Sequence, residues 1–355
     1  MLRLLASPRG MNEVLQTSAG PAQFDVSRII ASYTWFVGSA TLACAAGLWL
    51  AGPPSPSTSA VVMLVAVAMI GLPHGSYDME VGRRLLSARV GRRWWIWFGV
   101  AYLALAALAA GLWALAPLVG LVLLLVGGAV HWGVDDLETS PAAGDSGWPK
   151  RLWLGFSRGA VPVAAPMLLS SHEVAEVFAA LLGRDVVAAG TVSAAGALWL
   201  VLALPGLVYG VVSASRVGRG SATRAALEPV VLLCLFASVP AILGFALYFC
   251  FWHSVRHSIR SAAAAGRHDA SGKKMATDYL RAVATPTVLT WLLGLGAWLL
   301  FAEHGDALPS MWGLVFVGLF ALTVPHVLLE LLEHRLAGDS VTTHHAASVA
   351  EAQSS

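Results

Sequence analysis

Charge is scarce in this chain: only 12% of its 355 residues are Asp, Glu, Lys or Arg, while 57% are hydrophobic and the mean hydropathy is +0.71. That composition excludes an ordinary soluble domain, in which about a quarter of residues are charged. No polar block between residues 29 and 333 is long enough to form a domain of its own, which leaves one polytopic membrane region with short loops. The net charge of +2 is too small to attract nucleic acid. Cysteine is nearly absent too. Cys44, Cys234 and Cys250 all lie in apolar segments and are odd in number, so they are read as lipid- or core-facing thiols rather than a disulfide framework. The N-terminal stretch lacks the compact apolar core and small-residue cleavage site of a secretory signal.

What the chain has in abundance is apolar runs. Those at about Ile29–Ala51, Ser59–Tyr77, Trp94–Leu115, Leu118–Val134, Leu152–Ser170, Ala188–Val212, Thr285–Phe301 and Met311–Leu332 predict an all-α, polytopic integral membrane bundle over residues 29–335. About 8–10 transmembrane helices are expected. A polar tail at 1–28 and another at 336–355 flank the bundle. Arg83, Arg84, Arg89, Arg92 and Arg93 in one short connection mark it as cytoplasmic, which places the N-terminus in the cytoplasm and the protein in the cell (inner) membrane. The interval from Leu227 to His257 is awkward, because Arg216, Arg219 and Arg224 before it and Arg256, Arg260 and Arg267 after it both read as cytoplasmic. An even number of crossings must then fit into a stretch short for two spans, with Pro229 and Pro240 as the breaks; the alternative is one long helix.

Histidine carries the chemistry. His253 and His257 are four residues apart, so a helix places both imidazoles on one face, where they can grip one metal ion. His74, His131 and His326 also sit near the cytoplasmic ends of apolar spans. For any single one, an interhelical hydrogen bond or an interfacial position is sufficient. Several imidazoles at one depth avoid a repeated desolvation cost by facing inward together, so the set argues for a shared metal centre. Pro73 and Pro325 bend the chain beside His74 and His326. Asp78, Asp135, Asp136 and Glu330 are candidates to hold the far ring nitrogens, whereas Glu138 reads as a loop residue. Arg256 is expected where its helix meets the cytoplasm. His172, His268, His304, His334, His344 and His345 lie in loops or tails and read as solvated. Neutral histidines without cysteine suit Fe(II), copper or zinc, and a site within the bilayer implies a lipid-borne substrate.

The segments Gly71-Leu-Pro-His74-Gly75-Ser-Tyr-Asp78, His131-Trp-Gly-Val-Asp135-Asp136, Trp252-His253-Ser-Val-Arg256-His257 and Pro325-His326-Val-Leu-Leu-Glu330 resemble the signature motifs of the Brp/Blh family, the bacteriorhodopsin-related-protein type of β-carotene 15,15'-dioxygenase. The resemblance covers roughly residues 29–335. It implies an Fe(II) oxygenase that cleaves the central double bond of β-carotene with O2 into two all-trans-retinal molecules, with a retinal-binding rhodopsin as a downstream acceptor. It also implies that His74, His131, His253 and His257 hold the iron, and that His326 belongs to the second shell or pocket. Tyr77, Tyr248 and Trp252 are candidates to line a polyene tunnel. The first motif departs from the family in reading Asp78-Met79 where Asp-His is common, which leaves the choice between β-carotene and another carotenoid open. A membrane di-iron desaturase or hydroxylase would need repeated HxxxH and HxxHH clusters, and a histidine-relay transporter would need more carboxylates deep in the spans than Glu330.

Overall fold

The computed structural model describes residues 26–137, 147–264, 273–301 and 311–333. Among these, every regular element is helical. The helices are α1 (Val26–Ala51), α2 (Pro56–Ala66), α3 (Asp78–Val90), α4 (Trp94–Leu115), α5 (Pro117–Leu137), α6 (Trp148–Leu169), α7 (Ser171–Leu182), α8 (Ala189–Ser215), α9 (Arg219–Ser238), α10 (Ala241–Ala246), α11 (Val255–Ala264), α12 (Lys273–Phe301) and α13 (Gly313–Glu333). Eight stretches of the described residues are long and apolar enough to cross a membrane. Large apolar side chains such as Phe36, Trp49, Leu108 and Leu292 point outward, as lipid requires and water would penalise. Glu138, His268, His304, His334, His344, His345 and both tails lie outside the described residues, apart from 26–28, which open α1. His172 is exposed on α7.

Helix ends follow local chemistry. Ser55 caps α2 by accepting from the Thr58 amide at 3.2 Å, and proline stands in the first turn of α2 and α6. Gly183 ends α7 in the left-handed conformation. The awkward interval resolves into two helical stretches, α9 and the run 241–264, parted at Val239-Pro240. Of the two, α9 is long and apolar enough to cross a membrane. The Glu173 carboxylate accepts from the Ala241 and Ile242 amides at 2.7 and 3.3 Å. Glu173 follows the end of α6 remote from Lys150, so the break lies at the opposite side of the bundle from the ends of α5 and α11.

α6 is the most buried span, and it lies against α5 and α8. Small residues permit the approach: a Cβ on Gly159 would collide with the Ala129 carbonyl, and one on Gly133 with the Gly155 carbonyl. A large residue here forces the two backbones apart. Gly159→Leu is therefore expected to cost more than the ~1–3 kcal/mol of ordinary overpacking, read as loss of the monodisperse peak on mild heating in detergent.

Three π-helical segments interrupt the spans: Val67–Gly71, Leu247–Ser254 and Gly313–Val317. Carbonyls in the first two are met by side chains from other helices, since Trp291 Nε1 donates to Ala68 O at 2.9 Å and Tyr33 OH to Phe251 O at 2.6 Å. Within the second, Ser254 donates to the Phe249 carbonyl at 2.7 Å. Such insertions rotate the residues that follow, and here they precede His74 and contain His253.

Candidate metal centre

Five imidazoles from four parts of the chain face one another. Ring centroids of His74 lie 5.3 Å from His253, 5.3 Å from His257 and 5.5 Å from His326; His131 lies 5.2 Å from His253 and 5.0 Å from His326. All five are buried, His253 completely. His74 stands in the turn Leu72–Ser76, just after the first π segment, and α12 holds that turn: Tyr279 donates to Pro73 O at 3.2 Å and Thr287 to Ser76 Oγ at 2.9 Å. His131 is one turn before Asp135 on α5, and His326 follows Pro325 in α13.

The outer ring nitrogens are anchored. His74 Nδ1 meets the Gly71 carbonyl, His131 Nδ1 lies 3.0 Å from Glu330, His257 Nδ1 lies 2.9 Å from Asp135, and His326 Nδ1 lies 2.8 Å from Asp78. An N–H held by a carbonyl or carboxylate fixes the tautomer and leaves the Nε2 lone pair for a metal. His253 is held less closely, with Nδ1 3.6 Å from Asp135. The inner nitrogens have what a metal needs. His131 Nε2, His326 Nε2 and both nitrogens of His253 are buried without a hydrogen-bond partner, an expensive arrangement unless a cation meets them. Donor atoms of His74, His131 and His326 lie within 4.8 Å of one another. The donor set therefore fits a metal ion, and His326 converges with the other rings rather than standing behind them.

Asp78, Asp135 and Glu330 thus each lie against the Nδ1 of a histidine ring. Asp136 does not: its carboxylate faces Arg256 at 2.8 Å, away from the rings. Arg256 corrects a second expectation. It is 4% exposed and sits in the protein interior, paired with Asp136 and 3.6 Å from Glu228, which in turn binds Arg158 at 2.7 Å. The arginine between two ring-bearing positions ties α11 to α5, α6 and α9.

Of the residues offered for a polyene tunnel, Tyr77 stacks on Tyr279 and borders a mostly apolar cavity that also touches His131 and His257, with Arg84, Arg260 and Glu330 among its polar lining. Tyr248 and Trp252 border a cavity with Asp136, Arg158 and Glu228. The face that continues from His253 carries Phe249 and Phe245, spaced by four, and these rings stack at 5.6 Å. Phe249 and Phe245, with Trp132, line two further apolar cavities. An outer apolar cavity touches His74, His131 and His326 and is bordered by α4 and α12; an inner one lies between α5, α6, α7 and α13. Their volumes are about 300 and 100 Å³, which when joined fall within the ~300–1,000 Å³ of a usual small-molecule site.

Tyr102, in mid-span on α4, was not among the residues singled out from the sequence. Its hydroxyl donates to Asp78 Oδ2 at 2.8 Å, on the carboxylate that anchors His326. The available signal was a tyrosine in mid-span. Tyr102→Phe is expected to weaken metal affinity about 10-fold, at the lower end for such outer partners, as measured by competition with a chelator.

Comparison with known proteins adds the following. Residues 65–333 match the family described as "Beta-carotene 15,15'-dioxygenase". The chain is 30% identical over 271 residues to the "Beta-carotene 15,15'-dioxygenase" of an uncultured marine bacterium, 66A03, covering 75% of this chain and 90% of that one. It is 29% identical over 301 residues to the "Probable beta-carotene 15,15'-dioxygenase Blh" of Halobacterium salinarum, covering 80% and 87%. Over 308 residues it is 29% identical to that organism's "Probable beta-carotene 15,15'-dioxygenase Brp", covering 78% and 82%. No solved structure matches.

Proposed function

Since the chain belongs to the β-carotene 15,15'-dioxygenase family, we propose that this enzyme uses Fe(II) and O2 to cut the central double bond of β-carotene into two all-trans-retinal molecules. The observation that carries the reading is the set of converging buried imidazoles on the wall of an apolar cavity that reaches the lipid face. His74, His131, His253 and His257 hold the iron. His326 offers one more nitrogen to the same centre, anchored in the same manner as His131 and His257.

Iron, when bound, supplies the one-electron chemistry by which O2 can react with a closed-shell polyene. The protein's part is placement. Asp78, Asp135 and Glu330 keep the proton of the ring nitrogen on the outer side, so the inner lone pairs stay directed at one point. Trp132 and Phe249 border both apolar cavities and confine the polyene where its middle passes the rings. The overall change needs no proton donor: the C15=C15' bond breaks, each carbon gains one oxygen atom, and one O2 is consumed. The apolar walls keep water from the reacting carbons.

The test is expression in cells that accumulate β-carotene. They are expected to bleach as retinal forms, and persistent colour with the protein present in the membrane contradicts the assignment. One observation favours a two-metal centre instead, because His257, His326 and Glu330 form a second convergent donor group that shares His326 with the first. Metal analysis decides: about one iron per chain is expected here, and two would move the protein toward desaturase-like chemistry.

A further inference from the structure

We propose that the inner cavity is a ruler: its closed end stops one ring of the substrate, and its depth decides which double bond lies over the histidines. The inference rests on the carotenoid reading above. The two apolar cavities share Trp132, Phe249, Leu319 and Thr323, which form a neck. The outer cavity opens to the bilayer between α4 and α12, where Trp95, Leu103, Leu289 and Leu293 line it and are each more than half exposed. No residue that lines the inner cavity is exposed, and its one polar side chain, Thr323, stands at the neck.

A lipid-borne ligand that enters between α4 and α12 therefore meets the histidines first and the inner cavity second. Along α5 the inner cavity runs from Trp132 to Leu121, a rise of about 16 Å at 1.5 Å per residue. That length is comparable to one ionone ring with its half of the polyene. The far wall includes Val174 and Val177 of α7, the amphipathic helix that follows the end of α6 remote from Lys150. Once the leading ring reaches this wall the chain can advance no further. The bond above the rings is then counted from the closed end, and central cleavage follows because that count equals half of a symmetric substrate.

The prediction concerns product length rather than rate. Val177→Phe shortens the inner cavity, so the leading ring stops earlier and a bond nearer to it meets the histidines. Apocarotenals of unequal length should replace retinal. Val177→Leu makes a smaller change that the fold tolerates more easily, and it should give a mixture of retinal and unequal products. Leu292→Phe, on the exposed face of α12 and outside both cavities, should leave retinal as the only product. The measurement is chromatographic and mass-spectrometric identification of aldehydes from β-carotene with each variant in membranes. Retinal alone from every active inner-cavity variant, or the same shift from Leu292→Phe, overturns the ruler. Absence of retinal from the unaltered enzyme would instead count against the carotenoid reading itself.

Discussion

Replacing His253 with alanine is expected to abolish carotenoid cleavage and to empty the metal site. The side chain is fully buried, its ring lies 5.3 Å from that of His74 and 5.2 Å from that of His131, and neither of its nitrogens has a hydrogen-bond partner. A structural histidine in this position would be costly, so the ring is held there for what binds it. Loss of an outer partner typically costs 10–100-fold in metal affinity, and loss of a direct ligand should exceed the upper end, about 100-fold. Cells that make β-carotene should stay orange with His253→Ala, and the purified variant should carry little iron while eluting like the unaltered protein. Full bleaching by the variant would remove His253 from the centre.

The second large effect is on stability. Arg256→Ala withdraws the guanidinium from Asp136 and Glu228 inside the bundle. Breaking a buried pair by removing one partner costs roughly 3–5 kcal/mol, whereas replacing both partners with neutral groups of similar volume is often nearly neutral. The single variant should therefore lose its monodisperse peak at a markedly lower temperature, and Arg256→Met combined with Asp136→Asn should recover most of the loss. The same thermal shift for single and double variants would mean that the packing of Arg256, and not its pairing, is what matters.

The contrast between His253 and Arg256 shows what the sequence could reveal. Histidines near the ends of apolar runs share a depth, and the spacing of four between His253 and His257 puts two on one helix face, so the cluster was readable before any coordinates. Partners across helices were not. His326 meets Asp78 from 248 positions away, a pairing that no local pattern marks. Arg256 was read as an interfacial residue because positive charge near a helix end usually is; that α9 and α6 supply Glu228 and Arg158 around it depends on packing. The π segments have no periodicity signature and decide which face Phe249 and His253 present. α7 could have been found: Val174, Val177 and Leu181 form a helical stripe, but twelve residues are too few for a span, and a search for spans passes over them. Asp78 and Asp135 are buried near the rings and Glu330 is half-buried beside them, each engaged with a histidine.

The most direct measurement is the stoichiometry of the reaction by the iron-loaded, purified full chain in detergent or lipid. The account predicts that each β-carotene consumed removes one O2 and yields two retinal molecules with no added reductant. Unequal apocarotenals from the unaltered enzyme, a requirement for an external electron donor, or β-carotene left unchanged would contradict it.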